Sequence, residues 1–316
     1  MFQPASWLTN PHLQTLWAPL IRRVPPYPYR WERFELPDGD FVDLAWTARN
    51  DGPLVIILPG LESLLYSSPY LKGLLQTLDQ QGWRGVVMHF RGCSGVPNRL
   101  LRSYHSGDTD DINYLSNYLS NKMKGTPLFV VGYSLGGNVL LKWLGEQASK
   151  VPLTAAVAIS VPFQLHPTAC HIKKSLGGFY QWGLLRHMKR NYRRKFNLHQ
   201  GPISLTQLAK IKTIQQFDEQ ITAPLHGFAN ADDYYQQASC RQYLPWIKKP
   251  TLIIQARDDP FMPPSVIPSS GELSPTTHLE VSDKGGHVGF VSGRWPWQVK
   301  YYLELRIIQF LSQYFF

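Results

Sequence analysis

A series of short runs in which nearly every residue is apolar punctuates the chain, and between the runs the apolar positions recur at helical spacing. The runs are PLVIILPG (Pro53 to Gly60), the front of WRGVVMHFRGCSG (Trp83 to Gly95), PLFVVG before Tyr133, LTAAVAIS (Leu153 to Ser160), the front of PTLIIQARDDPFMPP (Pro250 to Pro264) and the front of HLEVSDKGGHVGF (His278 to Phe290). Continuous runs of this length suit strands buried on both faces, as in a parallel sheet covered by helices. Ahead of them, WERFELPDGDFVDLAWT (Trp31 to Thr47) alternates apolar and polar residues around Pro-Asp-Gly-Asp, which predicts a hairpin of two antiparallel edge strands. Thr109 to Met123, with acids at its start, predicts a helix. The segment after Ser134 places Leu135, Val139, Leu140, Trp143 and Leu144 on one stripe, so it should pack on the sheet. WQVKYYLELRIIQFLSQYF closes the chain as a further helix. NPHLQTLWAPLIRR (Asn10 to Arg23) also has roughly helical spacing and ends at PPYPY; it reads as an amino-terminal extension packed on the core.

The alternation breaks at Val161-Pro162, and residues to about Leu244 read as several helices without a clear strand. The expected organisation is therefore an α/β core formed by residues 1–160 and 245–316, with an extension over 1–30, and a helical cap inserted over 161–244. The insertion carries Lys173, Lys174, Arg186, Lys189, Arg190, Arg193, Arg194 and Lys195, a quarter of the 32 Lys and Arg residues. A solvated helix face explains such a run; electrostatic contact with anionic lipid or another polyanion is the alternative. The formal net charge of +10 favours anionic surfaces without naming one.

A length of 316 residues, 43% of them hydrophobic, suits one core with an insertion, and a 17% charged fraction argues against extended disorder. MFQPASWLTN lacks the features of a secretory signal, and no run reaches the roughly 18 apolar residues that a membrane span needs. Cys93, Cys170 and Cys240 fit neither a disulfide framework nor a zinc site, so a reducing cytoplasm is the expected home. No metal or organic cofactor is called for: Asp232-Asp233 and the scattered histidines lack ligand spacing. His12 and Gln14 are read as structural residues rather than ligands.

The candidate chemistry lies in PLFVVGYSLGGN. A Gly-x-Ser-x-Gly turn between strand and helix holds its serine in a strained conformation that only small neighbours permit, and Gly132 and Gly136 supply them. Ser134 would project above the strand end. The backbone N–H of Leu135, at the positive end of the helix, would point where an oxyanion forms, and Gly137 would let that helix lie close to the sheet. The next strand ends in Asp258-Asp259-Pro260 and the last in Gly285-Gly286-His287, giving the chain order nucleophile, acid, base of an α/β-hydrolase. His287, in a Gly-rich loop read as mobile, would take the serine proton, and a carboxylate would fix its tautomer. Asp259 is the first choice for that carboxylate and Asp258 its neighbour and competitor. The second oxyanion donor is expected to be the N–H of Leu61, after Pro59-Gly60.

The chain resembles the YheT-type α/β-hydrolases, bacterial relatives of the animal abhydrolase-domain lipases and of the yeast medium-chain ester synthases and esterases. The resemblance rests on NPHLQTL, LPGL with SSPY, FRGCSG with RSYHSGDTDD, GYSLGGN, AISVPF, FDEQITAPLHGF with DYY, PTLIIQARDDPF and GGHVGF. It implies a catalytic triad of Ser134, Asp259 and His287 and hydrolysis or transfer of acyl groups on carboxylic esters. Two departures stand out: Gly60-Leu61-Glu62-Ser63 where relatives often have Gly-Leu-x-Gly, and Gln164 where an acid often follows Val-Pro-Phe. The first could alter the loop and the acyl pocket; the second leaves the triad untouched. Arg91, Cys93, Tyr104, His105 and Asp108, near the expected crevice, are read mainly as loop bracing, with Cys93 a packing residue. The expected substrate is a small acyl ester of short to medium chain, capped by Phe163, Phe179, Tyr180, Trp182 and Met188. Acyl transfer to an alcohol or phospholipase action is the alternative with the same triad. A non-catalytic basic module bound to membrane or RNA is the reading from another class, although no nucleic-acid partner is expected; peripheral contact with anionic membrane through the basic cap is.

Overall fold

A computed structural model describes residues 2–197 and 200–315. The apolar runs form strands β3 (Leu54–Leu58), β4 (Arg84–Met88), β5 (Leu128–Tyr133), β6 (Ala155–Ile159), β7 (Thr251–Ala256) and β8 (Thr277–Ser282), preceded by β1 (Arg30–Glu35) and β2 (Phe41–Trp46). They make one eight-stranded sheet in the order β1-β2-β4-β3-β5-β6-β7-β8. β1 pairs antiparallel with β2 and β2 with β4; the remaining pairs are parallel. Of the predicted hairpin only β1 lies at the edge. β2 lies inside the sheet, paired with β1 along its length and with β4 over residues 44–46, and it is buried because its faces enter both cores, Val42, Leu44 and Trp46 in one and Ala45 in the other.

Parallel neighbours need crossovers, and helices supply them. After α1 (Pro11–Ile21), α2 (Pro69–Gln80) links β3 to β4, α3 (Asp110–Lys122) links β4 to β5, and α4 (Leu135–Gln147) links β5 to β6. Alternate residues of β3 feed opposite cores: Ile56 and Leu58 pack with Ile112, Leu115, Val139 and Trp143 on one face. Val55 and Ile57 pack with Leu71, Leu74, Leu75 and Leu78 of α2 and with the closing helix on the other. α2 went unread in the sequence, although its four leucines follow helical spacing behind Pro69 at the first turn.

Between β6 and β7 the chain runs through α5 (Leu165–Ile172), α6 (Phe179–Phe196), α7 (Leu205–Lys210), α8 (Ile214–Phe217), a π-helical turn (Asp218–Thr222), α9 (Ala223–His226) and α10 (Ala231–Ala238). Tyr180, Leu185, Met188, Tyr192, Leu208, Ile211, Ile214 and Phe217 form a separate apolar cluster, against which Leu16, Leu61 and Phe261 also pack. The closing helix, α11 (Tyr302–Leu311), begins later than the spacing predicts, because Lys300 and Tyr301 first pair with Ser292 and Val291.

The chain passes from β3 to β4 on one side and then to β5 on the other, so the sheet's connections diverge at β3. Crevices form outside the carboxyl ends of strands at such points. Leu58 is in register with Gly132, which brings the loop after β3 beside the turn after β5.

Candidate active site

Ser134 sits between β5 and α4 with φ +51° and ψ −117°, a left-handed conformation that a side-chain-bearing residue adopts at a cost of about 1–3 kcal/mol. The surroundings enforce it. A Cβ at Gly132 would lie 2.4 Å from the Gly136 carbonyl oxygen, and one at Gly136 would lie 2.4 Å from that of Leu58. Glycine at both positions lets α4 start directly on the ends of β3 and β5. Ser134 N–H donates to Ile159 O across the strand pair at 2.8 Å, fixing the turn to the sheet.

His287 reaches the serine from the loop after β8. Its Nε2 lies 3.0 Å from Ser134 Oγ and its Nδ1 2.8 Å from Asp259 Oδ2, with both His287 and Asp259 buried. A carboxylate only accepts, so Nδ1 carries the hydrogen and Nε2 is the free acceptor facing the hydroxyl. Asp259 is itself held by the Phe261 N–H, 2.8 Å from Oδ1. Asp258 points elsewhere: its Oδ1 accepts the Gly286 N–H at 2.9 Å, and burial raises its pKa. The two adjacent carboxylates thus serve different atoms of the same loop.

That loop is clamped rather than loose. Thr15 Oγ accepts the His287 N–H at 2.9 Å and Ser160 Oγ the Val288 N–H at 3.0 Å. Its glycines answer to close approach: a Cβ at Gly289 would meet the Gln14 carbonyl oxygen at 2.5 Å, and one at Gly286 the Pro11 carbonyl oxygen at 2.6 Å.

After β3, the Gly60 N–H donates to Tyr70 Oη, the Glu62 N–H to Tyr104 Oη and the Ser63 N–H to Gly60 O. Among the described residues nothing accepts from the Leu61 N–H between them, nor from the Leu135 N–H at the start of α4. Ser63, the departure from Gly-Leu-x-Gly, is accommodated because the left-handed residue of the turn is Glu62, at φ +56°. Tyr104 Oη donates to the Glu62 carboxylate at 2.9 Å, and Asn191 of α6 donates to it as well. The other departure, Gln164, accepts from Arg241 at 2.8 Å.

Ser134, His287, Leu61 and Leu135 open onto a cavity of about 310 Å³. Its walls are mainly apolar: Leu165, Ala169, Ile172, Tyr180 and Leu184 from the helices after β6, Leu16 and Pro19 from α1, and Phe261 and Met262. Of the five residues expected to cap it, Tyr180 lines this cavity and Met188 a neighbouring one; Phe163 is buried in the main core, and Phe179 and Trp182 face outward. The neighbouring cavity, about 110 Å³, shares Leu61 and Leu135 and is lined by polar groups including Glu62, Tyr104, His105 and His226. Burial pulls the pKa of both histidines down to about 3, so they are neutral there.

Residues 53–293 match the family described as alpha/beta hydrolase fold. The chain belongs to the α/β-hydrolase family. It is 44% identical to YheT of Escherichia coli (strain K12) across 99% of this chain and 93% of that protein. It is 30% identical to phospholipase ABHD3 of Mus musculus across 95% of this chain and 75% of that protein. Among solved structures, esterase Pf2001 of Pyrococcus furiosus superposes with a TM-score of 0.57 at 18% identity, covering 93% of this chain and 97% of that one. This last likeness concerns the fold.

Within this α/β-hydrolase, most residues read as loop bracing do brace loops. Arg91 is buried and forks onto Asp111 at 2.6 and 2.8 Å while its remaining nitrogen reaches Asp38 and Asp40. Asp108 pairs with Arg102 at 2.8 Å. Cys93 packs in the core, where burial raises its thiol pKa well above the usual value. Gln14 is fully buried, taking the Val291 N–H and donating to the carbonyls of Leu8 and Val291. The sequence reading missed Thr15, Phe261 and Asn138. Asn138 Nδ2 donates to Ser106 O and Ala238 O and its Oδ1 accepts from Cys240 N–H, tying α4 to the end of α10. Their signal was position: each lies inside a motif already singled out, Thr15 in NPHLQTL, Asn138 in GYSLGGN and Phe261 in PTLIIQARDDPF.

Proposed function

We propose that the chain is a serine hydrolase of carboxylic esters with short to medium acyl chains, with Ser134, His287 and Asp259 as its triad. The observation that carries this reading is the continuous hydrogen-bond path from Ser134 Oγ through His287 to Asp259 at the floor of an apolar cavity. Ser134 Oγ bonds to the ester carbonyl carbon as its proton passes to His287 Nε2. The C–O bond to the alcohol then breaks, and the imidazolium returns the proton to the departing oxygen. Water repeats the sequence on the acyl-enzyme, and the acid leaves. Asp259 holds the ring and stabilises its charge. The Leu61 and Leu135 N–H groups receive the oxyanion, and the acyl chain lies between α1 and the helices after β6.

The test is turnover of an ester series with varied acyl and alcohol parts, with Ser134→Ala as blank. Full turnover by Ser134→Ala would sink the reading. Products formed in the presence of a competing alcohol separate hydrolysis from acyl transfer.

We infer in addition peripheral contact with an anionic membrane through the basic helices after β6. Three of the eight basic residues between Lys173 and Lys195 are spent internally: Lys189 on Ala209 O and Ile211 O, Arg194 on Gly95 O, and Lys195 on Asn98, Arg102 O and Ser103. Lys173, Lys174, Arg186, Arg190 and Arg193 remain exposed. Along α6 the exposed face runs from Phe179 and Trp182 to Arg186, Arg190 and Arg193, aromatic then basic, as in helices that lie in a membrane interface. Among the described residues no helix is long and apolar enough to cross a membrane. Co-sedimentation with phosphatidylglycerol vesicles but not phosphatidylcholine vesicles, lost in the Phe179→Ser, Trp182→Ser double variant, is expected; equal recovery from both vesicle types would contradict this part.

A further inference from the structure

The histidine loop is built against α1, not against the sheet alone. Three contacts define the junction. Thr15 Oγ accepts the His287 N–H at 2.9 Å while donating to Pro11 O one turn back at 2.8 Å, so this hydroxyl is fixed in orientation. Gln14 Oε1 accepts the Val291 N–H at 2.7 Å and its Nε2 donates to Val291 O at 3.0 Å, gripping the far end of the loop. Between them, Gly286 and Gly289 lie so close to α1 that any side chain would collide with its backbone. Gly286 and Gly289 are therefore the footprint of α1, whereas Gly285 makes room for Phe290 and Ala256.

A second route joins the same helix to the imidazole ring. His12 Nδ1 lies 3.1 Å from Tyr180 Oη, Tyr180 packs on Phe261 with ring centroids 4.8 Å apart, and Phe261 stacks on His287 at 3.9 Å. The backbone of His287 is held from α1 directly, and its ring is held from α1 through α6.

We propose that α1 is part of the catalytic apparatus, with Thr15 as a positioning residue that fixes His287 for proton transfer. This rests on the assignment of His287 as general base. The Asp259 bond sets the tautomer and one edge of the ring, yet an imidazole on a glycine-rich loop could still swing about that bond. The Thr15 hydroxyl removes this freedom by fixing the backbone from which the ring projects. A shift of about 1 Å at such a position costs on the order of 100-fold in rate.

The test compares Thr15→Val, which keeps shape and removes the hydroxyl, with Thr15→Ser, which restores it. Thr15→Val should lower kcat about 10- to 100-fold with KM changed less than about threefold and the thermal midpoint nearly held, and Thr15→Ser should recover most of kcat. Thr15→Ala, which crowds nothing, is the second variant should Thr15→Val fold poorly, with the same loss expected. Carbon-13 labelling at histidine Cε1 gives a readout independent of turnover: the His287 signal, assigned by its loss in His287→Gln, should broaden or change its chemical shift in Thr15→Val. Wild-type kcat together with an unchanged His287 signal in Thr15→Val would overturn the proposal, as would a kcat loss that Thr15→Ser fails to recover. If wild-type enzyme turns over no ester, or Ser134→Ala retains turnover, the triad assignment fails, while the carbon-13 comparison still decides whether Thr15 positions His287.

Discussion

Phe261 lies flat against the imidazole of His287, with ring centroids 3.9 Å apart and planes 6° from parallel. The same residue donates its N–H to Asp259 and lines the apolar cavity. It therefore fixes the ring's face while Asp259 fixes its edge, and it walls the space beside the serine. Replacing Phe261 with Ala should lower kcat about tenfold or more through lost orientation and raise KM through lost apolar contact. Phe261→Tyr, which keeps the stack, should stay close to wild type in kcat. Steady-state kinetics on one chromogenic ester separates the two effects.

The adjacent carboxylates should part company on mutation. Asp259→Asn offers His287 an amide in place of a charge and disturbs the tautomer, so a kcat loss approaching about 10⁴-fold is expected. Asp258→Asn keeps an oxygen for the Gly286 N–H and should cost less than about tenfold, with its effect in thermal stability. Parallel kinetics and melting curves check this, and equal kcat losses would contradict the assignment.

Two glycines give opposite outcomes with the same substitution. Gly136→Ala drives a Cβ to 2.4 Å from Leu58 O, so folding or yield should collapse. Gly183, inside α6, has nothing within 4 Å of its would-be Cβ. Gly183→Ala should raise stability by about 0.5–1 kcal/mol, read as a higher denaturation midpoint.

Asp218 carries a pH signature. It is buried in the π-helical turn, accepts from Thr222 and Tyr235 at 2.7 Å each, and burial raises its pKa from 3.8 to about 6. The folded protein therefore binds the proton more tightly than the unfolded chain. The stabilisation from that proton is complete below about pH 3.8 and is lost as pH rises to about 6. Asp218→Asn should remove this contribution, flattening the fall in melting temperature between those limits. A wild-type slope retained in the variant would show that another group is responsible.

The positions of the strands along the chain, the serine elbow and the candidate acid and base were legible in the sequence because each is a local pattern: continuous apolar runs for buried strands, glycines flanking Ser134, Asp and His just past strand ends. The residues also predicted that Gly132 and Gly136 are needed as small neighbours of Ser134; Gly132 answers to the turn itself, whereas the Leu58 carbonyl that Gly136 must clear comes from β3 and only the fold brings it there. Distances between segments were not legible. Asp258 and Asp259 are one residue apart in sequence, and only the packing of the β7 and β8 loops decides which carboxylate meets the imidazole. The basic run reads as one charged face, yet the last turn of α6 lies against the loop before α3, which takes Lys195 inward to Asn98, Arg102 and Ser103 and leaves Arg186, Arg190 and Arg193 outside. The glycines around His287 suggested mobility because glycine is permissive in an isolated chain. In the fold the same absence of a side chain admits α1 to backbone contact, and a loop that composition marks as loose becomes held from Thr15, Gln14 and Ser160.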